Sequence, residues 1–130
     1  LILCAGFGVI LGHNFPFYLK FKGGKGIAAT AGIMFSLDWR LTAVCLLAFV
    51  LIVAVTRYVS LGSLVVSAIF LCWNIYFGHL GAYGLAPEAR PQFYAVSAVI
   101  AAMAFWRHRA NIVRLVQGRE NKVGAKKKTE

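Results

Sequence analysis

Three short stretches hold most of the side chains able to do chemistry. The first, Gly12 to Gly32, reads GHNFPFYLKFKGGKGIAATAG and sets His13, Lys20, Lys22 and Lys25 among Gly23, Gly24 and Gly26. Such a loop has many donors and few acceptors. Its glycines admit φ > 0 and close backbone approach. Successive N–H groups can then curl into a nest that holds an anion. The apolar segment Ile27 to Leu37 follows directly; as a helix it points its positive N-terminal end back at the loop. That chemistry is phosphate or carboxylate binding at a membrane surface. The competing reading is a solvated basic loop whose lysines set membrane topology. A nucleotide P-loop is not indicated, because the Walker spacing is absent and no strand pattern precedes the glycines.

The second stretch is Tyr58-Val-Ser-Leu-Gly-Ser63, with two hydroxyls and a glycine at the start of an apolar run. Ser60 is a candidate reactive group or simply a helix cap, and Gly62 a helix-packing residue. The third is Arg107-His-Arg-Ala-Asn-Ile-Val-Arg-Leu-Val-Gln-Gly-Arg-Glu120. As a helix it places His108 and Asn111 on one face, three residues apart. Ile112, Leu115 and Val116 form an apolar stripe. The stretch reads either as a functional His–Asn pair or as a cationic amphipathic helix lying on the membrane. Glu120, the one acid in this basic region, suits a structural ion pair better than a base.

The elements that must position these residues are apolar. The chain has 130 residues, 60% of them hydrophobic, and a mean hydropathy of +0.73. That is far from a soluble domain. Apolar runs at Leu1–Leu11, Ile27–Leu37, Leu41–Val55, Ser60–Phe77 and Phe93–Trp106 predict an all-α integral membrane protein, a polytopic helix bundle of about five short spans. Several runs fall below the roughly 20 residues of a perpendicular span. Ile27–Leu37 is the shortest and either draws on its flanks or is re-entrant. Small residues within it favour close helix packing. If every run crosses, all 14 Lys and Arg residues except Arg40 and Arg90 share one side. By the positive-inside rule that side is the cytoplasm. The same parity gathers His13, Lys20, Lys25, Ser60, His108 and Asn111 at one membrane face and leaves His79 at the other.

The net charge of +10 therefore reports topology, not nucleic-acid binding. The opening run LILCAGFGVIL has neither a basic n-region nor a cleavage site, so it is not a signal peptide. It reads as the tail of a longer span, and the chain as the C-terminal part of a larger protein. Cys4, Cys45 and Cys72 lie in apolar runs without ligand spacing and are expected to be small buried hydrophobes. No metal site and no cofactor is indicated. The four acids, Asp38, Glu88, Glu120 and Glu130, stand too far apart in sequence for paired-carboxylate chemistry.

The three stretches, GHNFPFYLKFKGGKGIAATAG, YVSLGS and RHRANIVRLVQGRE, appear in the order found in the bacterial acyl-phosphate:glycerol-3-phosphate acyltransferase family (the PlsY family), which this chain resembles over nearly its whole length. The resemblance implies a single transmembrane acyltransferase domain over residues 1–130, with residues 107–130 as its basic cytoplasmic segment. It implies a multi-pass protein of the bacterial inner membrane, with its active site and C-terminus in the cytoplasm. Such an enzyme moves an acyl group from acyl phosphate to the carbon-one hydroxyl of glycerol 3-phosphate, giving lysophosphatidic acid in the first step of phospholipid synthesis. Its partners would be these two substrates, membrane lipids and an acyl-phosphate-forming enzyme. By residue match, glycerol 3-phosphate binding falls to Gly23, Gly24, Lys25 and Gly26, with His13 and Lys22. Ser60, His108 and Asn111 take the catalytic roles, and Glu120 the structural one. The family's first motif, with a serine and an arginine near the N-terminus, is absent, so the chain alone is expected to be inactive. One departure is visible: where the family commonly has Thr, as in GKGVAT, this chain has Ala29, with Thr30 next.

The residue chemistry agrees. Two phosphate-bearing substrates call for N–H and lysine donors. Acyl phosphate is already an activated anhydride, so positioning the hydroxyl and stabilising the oxyanion suffice without a covalent intermediate. The proton goes to His108 or to the donor's own phosphate. The alternatives are a membrane transporter or binding protein for an organic phosphate, and a structural membrane subunit with a lipid-binding tail.

Overall fold

The computed structural model describes residues 1–14 and 27–124, with backbone alone at His13, Asn14, Ile27 and Ala28. Every regular element among them is helical: α1 (Ile2–Asn14), α2 (Ile27–Leu37), α3 (Trp39–Thr56), α4 (Val59–His79), α5 (Arg90–Arg107) and α6 (Arg109–Val116), with a 3₁₀ turn at Pro87–Ala89 before α5. The first five close into a ring, in which each helix packs on two others: α1 on α2 and α5, α3 on α2 and α4, α4 on α5. Phe70, Met34, Leu41 and Ile100 fill the centre at 2% exposure or less.

The helix boundaries follow from local chemistry. Asp38 caps α3: its backbone is extended and its carboxylate accepts the Arg40 N–H at 2.9 Å, an arrangement worth about 1 kcal/mol. Arg40 then ion-pairs with the same carboxylate at 3.1 Å, and Trp73 Nε1–H reaches it from α4 at 3.3 Å. The Arg40 side-chain bond, aided by Trp73 and opposed by burial, holds Asp38 below its ordinary value of 3.8. At the other end of α3, Arg57 adopts the left-handed conformation (φ 62°) and its N–H returns to Val53 O. α5 starts at Arg90, earlier than the apolar run at Phe93 suggests, because Pro91 fits a first helical turn where no N–H is needed.

The outer surface is apolar. Leu46, Leu47, Val50, Leu51 and Val55 of α3 are all exposed. The 18 residues of α3 and 21 of α4 are long and apolar enough to cross a membrane. Lipid satisfies such a surface, and the fold is that of an all-α integral membrane protein. The 11 residues of α2 rise about 16 Å, half a hydrocarbon core. Inside, polar side chains tie α4 to α5: fully buried Asn74 donates to Ser97 Oγ at 3.2 Å and accepts from Tyr83 Oη at 3.3 Å. Gly62 sits where a Cβ would come within 2.8 Å of Phe49 Cδ2, so α4 approaches α3 through a missing side chain.

One expectation is corrected. Only Cys45 is buried; Cys4 and Cys72 lie on the outer surface, where lipid replaces protein packing. On α6, Asn111 is the buried residue and faces the cleft, while the expected apolar stripe is split: Ile112 and Leu115 are half-buried and Val116 is exposed.

Candidate active site

The first turns of α4 carry a stripe of serines. Ser60, Ser63 and Ser67 are buried on one face. Two of the hydroxyls serve the helix itself: Ser63 Oγ donates to Val59 O at 3.1 Å and Ser67 Oγ to Ser63 O at 2.9 Å. Ser60 Oγ is buried and has no hydrogen-bond partner among the described residues. Ser60 is therefore not the cap of α4, which starts without a side-chain cap bond. A buried hydroxyl in that state costs about 1–3 kcal/mol, and such departures concentrate where a ligand supplies the partner.

Opposite stands His108, 2% exposed, at the break between α5 and α6. Its N–H closes α5 on Ala104 O and Phe105 O, both at 3.1 Å, and its carbonyl accepts Ile112 N–H at 2.9 Å to open α6. The ring Nδ1 lies 2.8 Å from Ala104 O. A carbonyl can only accept, so Nδ1 carries the proton and the lone pair of the neutral ring resides on Nε2.

Asn111 follows in the first turn of α6, and its Nδ2 donates to both carboxylate oxygens of Glu120 at 3.2 Å each. A carboxylate accepts only, which fixes the amide with its NH₂ toward Glu120. Glu120, its side chain 5% exposed, also pairs with Arg114 Nε at 3.3 Å and accepts the Asn121 N–H at 3.2 Å. A glycine makes this possible. At Gly118 (φ 68°) the chain leaves α6, with Gly118 N–H bonded to Leu115 O and Arg119 N–H to Arg114 O. This Schellman turn folds the chain back and delivers Glu120 beneath Asn111.

Ser60, Ser63, His108, Asn111, Glu120 and Asn121 line one cleft of about 360 Å³, with Val59 and Phe49 as its apolar wall. Phe49 also borders a second cavity of about 190 Å³, bounded by Met34, Thr42, Cys45, Leu46 and Val66 among others. A polar cleft and an apolar cavity thus meet at one aromatic ring. Arg114 brings positive charge to the cleft wall through its pairing with Glu120, while Arg109 lies 4.5 Å above the Trp106 ring. The arrangement can present a hydroxyl, an imidazole lone pair and an oriented amide to one ligand.

The structure brings together Ser60, His108, Asn111 and Glu120 of the residues picked from sequence. Lys22, Gly23, Gly24, Lys25 and Gly26 lie outside the described residues, and of His13 only the backbone at the end of α1 is described. His79 ends α4, about 30 Å of helix from Ser60. Sequence reasoning missed Phe49; periodicity alone does not distinguish a cleft wall from a lipid-facing position.

A family model described as glycerol-3-phosphate acyltransferase matches residues 1–118. The chain is 40% identical over 126 residues to a glycerol-3-phosphate acyltransferase of Paramagnetospirillum magneticum, covering 97% of this chain and 57% of that protein. Two crystal structures of PlsY, an integral membrane glycerol 3-phosphate acyltransferase, are similar. The glycerol 3-phosphate form superposes with a TM-score of 0.76 at 31% identity, over 94% of this chain and 56% of that one. The lysophosphatidic acid form gives 0.77 at 33% identity, over 94% and 57%. The chain thus spans about half the length of the relatives it matches.

Proposed function

The chain belongs to the glycerol-3-phosphate acyltransferase family, and on that premise we propose that the protein transfers an acyl group from acyl phosphate to the carbon-one hydroxyl of glycerol 3-phosphate. The products are lysophosphatidic acid and inorganic phosphate. The observation that carries the proposal is the unpartnered, buried Ser60 hydroxyl in a cleft shared with His108 and Asn111. The apolar cavity beyond Phe49 suits the chain of an acyl donor.

In this reading the glycine–lysine loop, with Lys22, Gly23, Gly24, Lys25 and Gly26, and with His13, holds the phosphate of glycerol 3-phosphate. Its carbon-one oxygen attacks the donor carbonyl, the acyl–phosphate bond breaks, and phosphate leaves. Ser60 Oγ and the Asn111 amide orient the reacting groups, and such placement supplies much of the rate. The hydroxyl proton has two acceptors within reach of this chemistry, His108 Nε2 and an oxygen of the departing phosphate. Glu120 holds Asn111 and takes no proton.

The charge distribution supports a cytoplasmic site in the bacterial inner membrane. The Arg57 turn and residues 107–124 belong to the Ser60–His108 end of the bundle, and the parity of the apolar runs in the sequence assigns the basic loop to the same side. An enzyme that makes acyl phosphate would supply the donor. The test is direct. The protein as its gene encodes it, purified in detergent, receives acyl phosphate and glycerol 3-phosphate, and lysophosphatidic acid is measured. Glycerol 3-phosphate binding without turnover would instead favour a binding protein or transporter.

A further inference from the structure

Arg57 is the one non-glycine residue with positive φ among those described. The position it occupies, just past the end of α3, ordinarily goes to glycine or asparagine. An arginine there accepts backbone strain, so its side chain has something to do. Its Nε donates to Val123 O at 2.8 Å, and Nη2 donates to the same oxygen. The main chains bond as well: Val123 N–H reaches Arg57 O at 2.8 Å. One residue is thus held three times by another 66 positions away. Gly124, at φ 75°, lies so close that a Cβ there would stand 3.1 Å from Arg57 Nη2. Lys122 Nζ stands 5.5 Å from the Tyr58 ring.

These contacts make the segment from Gly118 to Gly124 a strap anchored at both ends. The Schellman turn at Gly118 anchors one end, and Arg57 the other. Between them, Glu120 and Asn121 form one wall of the cleft. Arg57 also precedes Tyr58, Val59 and Ser60, so it joins the wall carrying Ser60 to the wall carrying Glu120.

We infer that Arg57 is a positioning residue for the acyl transfer proposed above: it clasps the C-terminal strap so that Glu120 keeps Asn111 oriented in the cleft. The inference rests on that functional reading for its kinetic consequence, but not for the clasp itself. A basic residue serving only topology, or only the end of α3, would make no use of its fork of N–H groups on Val123.

Arg57→Gly separates these roles. Glycine is at ease at φ 62°, so the α3–α4 turn is kept and the clasp alone is lost. Hydrogen exchange is measured on the protein as its gene encodes it. The clasp predicts that exchange in the 118–124 segment rises roughly tenfold in Arg57→Gly, the equivalent of one charge-assisted hydrogen bond, while α3 and α4 keep their protection. Arg57→Lys retains the charge and loses the fork, and is expected to give an intermediate rise; it also serves if the glycine variant folds poorly. In the acyl-transfer assay, kcat falls by roughly tenfold or more with KM for acyl phosphate unchanged. In a Glu120→Gln background Arg57→Gly costs little further, because both changes act through Asn111. Unchanged exchange in the 118–124 segment in both Arg57 variants would overturn the clasp. Multiplicative losses in the double variant would overturn its link to Glu120. Absence of turnover in the unmodified protein would refute the proposed function and leave the exchange result to decide the clasp.

Discussion

Asn111 Nδ2 stands 3.2 Å from each oxygen of Glu120, so the amide is held by an acid to which the proposed mechanism gives no proton. Glu120→Ala removes the acceptor of Asn111 and of Arg114 together. We expect a loss of about 1–3 kcal/mol of stability and a larger fall in kcat than in substrate affinity. Asn111→Asp sets two carboxylates face to face and is expected to be worse than Asn111→Ala. Thermal unfolding and steady-state kinetics of the three variants check this; equal behaviour of Asn111→Asp and Asn111→Ala would remove the orienting role.

Ser60 and Ser63 share a helix face but not a fate. The Ser60 hydroxyl is buried without a partner among the described residues, while that of Ser63 bonds Val59 O. Ser60→Ala should therefore raise Tm, by an amount corresponding to about 1 kcal/mol, while abolishing most activity. Such an exchange of stability for function is expected where a strained group serves catalysis. Ser63→Ala should leave activity within about threefold, because its hydroxyl serves the helix. Comparison of Tm and kcat for the pair decides it; a destabilised Ser60→Ala would contradict the account.

His108 and Lys25 should fail in different ways. With Nδ1 on Ala104 O, Nε2 is the ring nitrogen that the proposed mechanism uses. His108→Ala is expected to lower kcat by about 10²–10⁴-fold if it takes the proton, with glycerol 3-phosphate binding preserved. Lys25→Ala should instead raise KM for glycerol 3-phosphate roughly tenfold, the loss of one charge-assisted contact. A near-normal kcat for His108→Ala would assign the proton to the departing phosphate.

The opposite end of the bundle predicts acid behaviour. Asp38 is held below 3.8 mainly by the Arg40 side chain, with Tyr83 the other titratable group nearby. A depressed carboxylate stabilises the fold above its unfolded value and loses that contribution as pH falls through the folded one. Tm of the unmodified protein should stay level down to about pH 4 and drop below it, whereas Asp38→Asn starts lower and lacks this component of the drop. Tyr83 works at the alkaline limit: burial pushes it up to about 12, so its contribution is lost as pH rises above about 10. Equal acid profiles for the two proteins would show that Asp38 is not the titrating group.

Much of this was legible in the residues. Apolar runs separated by charges dictated an all-helical membrane bundle, and the parity of those runs was enough to bring Ser60, His108 and Asn111 to one end. The family resemblance then supplied the roles proposed for them. Other features were not legible, for physical reasons. The strap depends on a left-handed Arg57 and a contact 66 residues away, which no local pattern encodes. That Asn111 is the α6 residue turned into the cleft depends on Glu120 returning past Gly118 to hold it, which the apolar stripe alone does not encode. Cys4 and Cys72 are outward because apolar residues in a membrane protein need no protein partner. Phe49 belongs to two cavities through its packing on Gly62, a relationship of tertiary structure alone.

In the proposed function, this cleft joins an acyl group from acyl phosphate to glycerol 3-phosphate. The most direct measurement is lysophosphatidic acid formation by the purified protein, as its gene encodes it, with acyl phosphate or acyl-CoA as the only donor. We expect product with acyl phosphate, none with acyl-CoA, and loss of product in Ser60→Ala. Product formed only from acyl-CoA, or no product from either donor with glycerol 3-phosphate still bound, would contradict the proposed function.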